Sequence, residues 1–289
     1  MTRTGLICAA GLFAGGVVVF AQVPATIPQP RRGAGASVTG AFEGWYYNED
    51  GSRTFLVGYY NRNSRQELDI PIGPNNRIEP GGPDRGQPTH FLPGRQWGMF
   101  TVPVPRDFKP TDEYVWTLVA NGETTTIPFR LKPDYVMSPF SEVAVHNTPP
   151  VLRFEQNGKT TVQGPLASPA AAGARAAAVG SSLAVSVWVS DDLKFTSGGG
   201  GPVSASRPPV VIRWSKYRGP GAVTFDKARP DVEKLPTGEA AFNGTATTSV
   251  TFAEPGEYVL HVIVNDYSGD GGGGFGCCWT TGLVKVSVK

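Results

Sequence analysis

The sequence predicts an all-β protein in which two β-sandwich domains follow a single N-terminal transmembrane helix. Two observations predict the sandwiches: short runs of alternating apolar and polar residues recur along the chain, and turn residues separate them, with 26 prolines and 37 glycines among 289 residues. The helix is predicted by an uncharged apolar stretch near the N-terminus. A chain of this length has room for two domains that each bury a core.

The expected boundaries follow changes in composition along the chain. They are a signal anchor at 1–21, a tether rich in Pro and Gly at 22–40, a first β-sandwich at 41–147, a linker with one short strand at 148–180, and a second β-sandwich at 181–289.

Between Gly5 and Ala21 the N-terminal stretch carries no charge, and Arg3 precedes it. As a helix this stretch spans about 26 Å, slightly less than a hydrocarbon core of about 30 Å, so its length leaves a cleaved signal peptide and a retained anchor open. We expect retention in a bacterial inner membrane, with the bulk of the chain in the periplasm. The side chains expected to face lipid are Leu6, Ile7, Leu12, Phe13, Val17, Val18 and Phe20. Gly11 and Gly15 form a small-xxx-small pattern that favours close approach to another helix.

The first domain is predicted to be all-β because β-prone runs alternate with turn clusters. Strands are expected over Thr54–Tyr60, Tyr114–Val119 and Thr126–Leu131. Asn121-Gly122 predicts a tight hairpin between the last two strands. The segment Ile70–Gly94 is rich in Pro and Gly and too long for a tight turn, so it is either ordered against another surface or mobile.

Aromatic residues are dense in the first domain, and two interpretations of them stay open. Aromatic side chains usually fill the core of a sandwich, but large planar rings also anchor protein interfaces and stack on sugars. The loop at 81–90 is where polar donors and surface aromatics would meet a partner. The candidate partner contacts in this domain are Trp45, Tyr46, Arg85, Phe91 and Trp97.

The second domain shows alternation with a period of two most clearly over Leu183–Val189, where the apolar side chains point to one face. The same pattern returns in Tyr258–Val264 and Leu283–Val288, and shorter runs lie at Val210–Trp214 and Ser249–Phe252. Short strands at this spacing predict a sandwich.

Several segments of this half resemble PKD or related Ig-like extracellular modules. They are the tryptophan strand and Gly-Pro-Gly turn at Val211–Phe225, the Pro-Gly-x-Tyr-x-Leu strand start within Thr251–Leu260, and the following pair Asn265-Asp266. The resemblance covers roughly residues 180–289 and implies an Ig-like sandwich used for spacing, adhesion or assembly, without chemistry of its own. The Gly-rich insertion Ser197–Gly201 and the loop Gly269–Cys278 depart from the pattern, so loop functions of relatives are not carried over.

Four carboxylates of the second domain are candidate Ca²⁺ ligands: Asp191, Asp192, Asp266 and Asp270. They could converge at one end of the sandwich, and Ca²⁺ prefers hard oxygen ligands. Asp is also a preferred turn residue at strand ends. We therefore predict no bound metal.

No catalytic centre and no cofactor are predicted. The histidines His90, His146 and His261 lack metal-ligand spacing, and no Gly-x-Ser-x-Gly, His-Glu-x-x-His or P-loop motif occurs in the sequence. A glycoside hydrolase that uses a carboxylate pair such as Glu49 and Asp50 is a catalytic alternative.

The cysteines and the net charge narrow the function classes further. The adjacent Cys277 and Cys278 fit either two thiols or a strained vicinal disulfide, and both stay open. The formal net charge of +2 is spread along the chain, so the basic patch of a nucleic-acid binder is missing.

Together these observations favour a non-catalytic, membrane-anchored subunit that faces the periplasm. Such a subunit would scaffold or stabilise a larger complex through contacts with other membrane-protein subunits, and photosynthetic reaction-centre, light-harvesting and respiratory assemblies are candidate hosts. The alternative is a secreted or cell-surface protein for glycan binding or adhesion, with its signal peptide cleaved after Ala21 and the first-domain aromatics forming a sugar platform.

Overall fold

The computed structural model of the chain describes residues 32–142, 146–165, 172–194, 209–236, 240–266 and 277–289. The expected anchor helix, its lipid-facing side chains, Gly11, Gly15 and Asp270 lie outside these residues. Within the described residues no helix is long and apolar enough to cross a membrane. Arg31–Lys289 form one compact unit, which contains both β-rich halves.

The first half is built from eight strands in the described part of the chain. They are β1 Val38–Tyr47, β2 Arg53–Asn61, β3 Leu68–Asp69, β4 Asn76–Glu79, β5 His90–Phe91, β6 Gly94–Val104, β7 Tyr114–Ala120 and β8 Glu123–Phe129. One antiparallel sheet has the order β1-β2-β6, a second has the order β4-β7-β8, and β3 pairs with β5.

Aromatic side chains from the two larger sheets fill the space between them. Phe55 of β2 meets Tyr114 of β7 edge to face, with ring centroids 6.2 Å apart, and Phe100 of β6 meets Trp116 of β7 in the same way at 5.1 Å. Edge-to-face pairs of this kind add to the free energy gained by burying the rings. The two sheets therefore form a sandwich, which we call the first sandwich.

The second half contributes ten further strands to the described chain. They are β9 Val151–Arg153, β10 Val162–Gln163, β11 Ala174–Ala177, β12 Leu183–Asp191, β13 Val211–Arg218, β14 Val223–Phe225, β15 Glu233–Lys234, β16 Phe242–Phe252, β17 Gly256–Asn265 and β18 Trp279–Val288. One sheet has the order β10-β9-β12-β16-β14, with β15 also paired to β16, and the other has the order β11-β18-β17-β13. Both sheets contribute to one apolar core, so we call this half the second sandwich.

The predicted strands lie where the alternation placed them, and the described part of the chain is all-β apart from a 3-10 turn at Pro133–Tyr135. Asn121 and Gly122 both have a positive φ and join β7 to β8 in the predicted hairpin. Residues 148–180 contribute β10 and β11, which each lie at the edge of a sheet of the second sandwich, and β9, which lies between β10 and β12. The described residues of the predicted linker 148–180 are therefore part of the second sandwich.

The two sandwiches share a buried boundary, because several strands are buried on both faces. In β2 the run from Thr54 to Gly58 has no exposed residue, and in β17 the same holds from Leu260 to Asn265. Leu56 of β2 packs with Ile263 of β17 and Trp279 of β18 in one apolar cluster. The outer face of each sheet thus covers the other sandwich, and we call this boundary the joint.

Candidate functional site

The buried side-chain amide of Asn76 is one of the groups that order the loop Ile70–Gly94. The side chain of Asn76 donates to the carbonyls of Ile70 at 2.9 Å and Pro88 at 2.8 Å, and it accepts from the indole nitrogen of Trp116 at 3.0 Å. These bonds pull both ends of the loop onto β7 in the first sandwich. Of the two interpretations of this loop, ordering against another surface is the one the structure supports.

That other surface is strand β13 of the second sandwich. A β-bulge between Lys216 and Arg218 leaves Tyr217 as the extra residue, and a bulge of this kind re-aims neighbouring side chains. The carbonyl of Tyr217 accepts from the backbone nitrogen of Thr89 at 3.1 Å, and its hydroxyl donates to the carbonyl of Gly86. The loop thus continues the hydrogen bonding of an edge strand.

Arg218 fixes the same loop by charge. Its guanidinium makes two bonds to the carboxylate of Asp84, at 2.8 and 2.9 Å, and its Nε donates to the carbonyl of Gln87 at 2.9 Å. The hydrogen bonds and charge of Arg218 hold the pKa of Asp84 below its usual range, although partial burial acts against this. A two-bond arginine–carboxylate pair fixes orientation as well as distance.

A second ionic group crosses the joint beside this pair. The ammonium of Lys216 lies 2.9 Å from the Oδ1 of Asp69, and the same oxygen lies 3.0 Å from the Nδ1 of His90. The Nε2 of His90 lies 3.2 Å from a carboxylate oxygen of Glu67. Both ring nitrogens of His90 therefore face carboxylate oxygens. We call Asp69, Asp84, His90, Lys216 and Arg218 the joint cluster.

The burial of this group is uneven. The side chains of Lys216 and His90 are 5% and 8% exposed, whereas those of Asp69 and Glu67 are 51% and 56% exposed. Burial acts to raise the pKa of Asp69, but the hydrogen bonds and charges of His90 and Lys216 outweigh it, and the pKa lies below its usual range. The carboxylate of Asp69 therefore stays ionised and keeps acceptor capacity toward solvent.

A cleft of about 580 Å³ opens above the joint cluster. Residues of both sandwiches line it, among them the charged Glu67, Asp69 and Lys216 and the apolar Pro220, Val223 and Phe225. The ring of Phe225 is half-buried and lies on the indole of Trp214, with centroids 6.4 Å apart and planes inclined by 26°. The volume of this cleft lies within the range of small-ligand sites.

Close packing at Gly98 holds another part of the joint. A Cβ at Gly98 would lie 2.5 Å from the buried ring of Trp279, and the backbone there has a φ of +51°. The carboxylate of Glu43 accepts from the backbone nitrogen of Gly98 at 2.9 Å and from Arg95 at 3.1 Å. Burial raises the pKa of Glu43, although Arg95 and the Gly98 amide oppose the shift.

His261 lies inside the joint, stacked on Tyr217 with ring centroids 5.9 Å apart. Burial, assisted by the positive charge of Arg213, lowers the pKa of His261 to about 3. The imidazole is therefore neutral near pH 7. His261 is 1% exposed, because β17 is buried on both faces from Leu260 to Asn265.

At the far end of β12 and β17 lies a group that we call the carboxylate cluster, made of Asn147, Asp191, Asp192 and Asp266. Asn147 donates to Asp266 at 2.6 Å, and Thr148 donates to Asp192 at 3.0 Å. Burial, with the nearby charges of Asp266 and Asp192, raises the pKa of Asp191 to about 7, although the Leu193 amide opposes the shift. Across the described residues, no group of three or more His, Cys, Asp or Glu is arranged to hold a metal ion.

Next to this cluster, Cys277 and Cys278 form a vicinal disulfide, which is one of the two states left open by the sequence. Both residues are fully buried, and the sulfur of Cys278 lies 3.4 Å from the carbonyl of Asn147. Disulfides persist mainly outside the cytoplasm.

Three of the five candidate partner contacts of the first domain are buried in the described structure. Phe91 is fully buried with its ring 4.9 Å from that of Tyr59, and Tyr46 packs on Phe140. Trp45 is 6% exposed and its indole donates to the carbonyl of Lys132. These three rings therefore pack in the interior of the chain, and their role as partner contacts stays a prediction.

The other two candidates lie nearer the surface. The guanidinium of Arg85 folds back over the ring of Tyr114 at 4.4 Å, and Trp97 is 38% exposed beneath the guanidinium of Arg95 at 3.9 Å. The polar residues that bridge the sandwiches, above all Asp69, Lys216 and Arg218, were not singled out from the sequence.

No protein-family model matches the chain, and no curated protein matches it. Among solved structures, the chain is similar to domains 4 and 5 of the S-layer protein SbsC, with 12% identity and a TM-score of 0.22 over 88% of this chain and 98% of that one. It is also similar to a titin fragment, A168169, with 11% identity and a TM-score of 0.23 over 86% of this chain and 98% of that one. A longer S-layer protein, rSbsC(31-844), has 13% identity and a TM-score of 0.22 over 88% of this chain and 28% of its own length. The specific assignment to PKD modules stays a prediction.

Proposed function

We propose that the protein is a non-catalytic structural subunit that braces a larger membrane complex from the periplasmic side. The observation that supports this function is the joint, where the loop Ile70–Gly94 is hydrogen-bonded and ion-paired to β13. The loop that the sequence offered as a partner-facing surface instead fastens the two sandwiches to each other. Because the two sandwiches are tied together in this way, partner subunits bound to each of them are held at a fixed distance from one another.

The test is to find the native chain in its membrane. The native membrane is gently solubilised, its complexes are separated by size, and the chain is detected with an antibody. We expect the chain to migrate with a larger assembly. A chain found entirely as a free monomer contradicts a bracing subunit. Mass spectrometry of the native N-terminus separates the alternative of a secreted protein, because secretion predicts Gln22 as the first residue and an anchor predicts Met1 or Thr2.

A pair of variants tests whether the joint matters for bracing. Arg218→Met removes the bonds to Asp84 and Gln87, and we expect less of the chain to remain with the assembly while its total amount in the cell stays similar. Arg77→Met removes an exposed ion pair to Glu79 within the first sandwich and serves as the control. If equal amounts of both variants stay with the assembly, the function does not depend on a fixed arrangement of the two sandwiches.

A further inference from the structure

We propose that the cleft above the joint cluster binds a neutral saccharide. Charged and apolar side chains both line the cleft. The carboxylates of Glu67 and Asp69 are half-exposed, and that of Asp69 contacts the ammonium of Lys216. This inference does not depend on the bracing function, because it concerns a site that faces solvent.

The charges of the cleft favour a ligand without net charge. Acidic and basic side chains line it in similar numbers: Glu67, Asp69 and Glu254 against His90, Arg213, Lys216 and Arg229. The most buried of these charges are already compensated, because Asp69 contacts both Lys216 and His90. Because acidic and basic side chains both line the cleft, a charged ligand of either sign would be attracted by some of them and repelled by others. Neither sign of charge therefore gains a clear electrostatic advantage.

The remaining hydrogen-bonding capacity suits hydroxyl groups. A hydroxyl both donates and accepts, so it can bond a carboxylate and a neighbouring ammonium at the same time. Lys216 has three N–H donors, and Asp69 takes one of them in the described structure. The carboxylates of Asp69 and Glu67 contact His90 and are about half-exposed to solvent. A ligand rich in hydroxyls uses both kinds of group.

The apolar wall gives the ligand a surface to stack on. The half-buried ring of Phe225 lies on Trp214 and lines the cleft together with Pro220 and Val223. A pyranose ring has a C–H face that packs on such a surface while its hydroxyls point sideways. An aromatic wall beside paired donors and acceptors therefore selects a saccharide over a small polar ion.

The experiment is isothermal titration calorimetry of the full chain with four neutral tetrasaccharides: maltotetraose, cellotetraose, mannotetraose and chitotetraose. We expect at least one to bind. Phe225→Ala should weaken that binding by about ten-fold and Glu67→Gln by about five-fold. Tyr135→Ala, an exposed aromatic of the first sandwich, and Glu233→Gln, an exposed carboxylate outside the cleft, should leave it unchanged.

Three results would overturn the proposal. They are no binding of any of the four at up to about 10 mM, tighter binding of a charged tetramer such as tetragalacturonate or the glucosamine tetramer, and equal losses in the cleft variants and their controls. Since Phe225 also packs against the core, the Glu67→Gln variant decides the outcome if Phe225→Ala fails to fold. Retention in the membrane assembly is unaffected by either cleft variant if the bracing function holds, so the two proposals fail separately.

Discussion

At the joint, the buried ammonium of Lys216 lies 2.9 Å from a carboxylate of the other sandwich, whereas Asp191 at the far end of the second sandwich lies close to other carboxylates. Two cations of the joint cluster, Lys216 and Arg218, are each paired with a carboxylate across the boundary. In the carboxylate cluster, burial and nearby negative charges instead raise the pKa of Asp191 to about 7, so near neutral pH a large share of that group holds a proton. The difference shows that the second sandwich buries charge with an opposite partner at the joint and without one beside Asp191.

The largest loss of stability is expected at Gly98, where the joint is most tightly packed against Trp279. Gly98→Ala should lower the free energy of unfolding by about 3 kcal/mol, because the new methyl group collides with Trp279 and the residue keeps a left-handed backbone. Gly94→Ala in the same strand is the control, since its φ is +81° but nothing lies near its Cβ; we expect about 1 kcal/mol. Chemical denaturation measures the free energy of unfolding of both variants. Equal losses would show that Trp279 moves aside for the new methyl group without loss of stability.

The next effect tests the paired charges. Asp69→Asn should lower the free energy of unfolding by about 2 kcal/mol, because it leaves the buried Lys216 without its carboxylate. Since the folded pKa of Asp69 is lowered, its contribution is present above the unfolded value and is lost as the pH falls through the folded pKa. The variant and the native chain should therefore converge in acid.

A double variant separates this pair from general damage. Adding Lys216→Met to Asp69→Asn should recover part of the lost stability, because the unpaired ammonium is gone. Glu113→Gln breaks a more exposed ion pair with Arg130 and should cost less than about 0.5 kcal/mol. Additive losses in the double variant would show that Asp69 and Lys216 act independently.

The stability contributed by the carboxylate cluster should depend on pH in the opposite direction to that of Asp69. The folded pKa of Asp191 is raised from 3.8 to about 7, so the folded state holds its proton more tightly than the unfolded state does. The native chain should lose stability as the pH rises from about 4 to 7, and Asp191→Asn should not. At pH 8 the variant should be more stable by about 2 kcal/mol, with no such gain at pH 4. Thermal melts from pH 4 to 8 measure this, and parallel curves for both proteins would contradict it; Asp107→Asn, at an exposed position, is the control.

The smallest effect is expected at an exposed ion pair outside both clusters. Arg77→Met should change the free energy of unfolding by less than about 0.5 kcal/mol, because Arg77 and Glu79 are both open to solvent. A loss as large as that of Asp69→Asn, measured by the same denaturation, would mean that pairing across the joint has no special weight.

The strands of both sandwiches could be predicted because their alternation is local. Leu183–Val189 and the hairpin at Asn121-Gly122 carry their own signal, and the structure agrees with both. The alternation at Tyr258–Val264 predicts a strand with one buried face, whereas the structure buries β17 on both faces from Leu260 to Asn265. No local pattern says which surface covers the second face, so the joint was missed.

The candidate site depended on contacts between residues far apart in sequence. The bulge at Tyr217 changes which way Lys216 and Arg218 point, and no local pattern marks a bulge of this kind. The sequence leaves the ring of Phe91 open between the core and a partner surface, and its burial accompanies the ordering of the preceding loop by Asn76. Tertiary hydrogen bonds decided both cases.

The claim that the joint fixes the two sandwiches relative to each other is tested most directly by a distance measurement between them. Spin labels at exposed positions, introduced as Thr124→Cys and Lys285→Cys in a Cys8→Ser background, report that distance by double electron–electron resonance. A single narrow distance distribution in the otherwise native chain, broadened by Arg218→Met, is the predicted result. A broad or two-peaked distribution before any joint residue is changed would contradict the account.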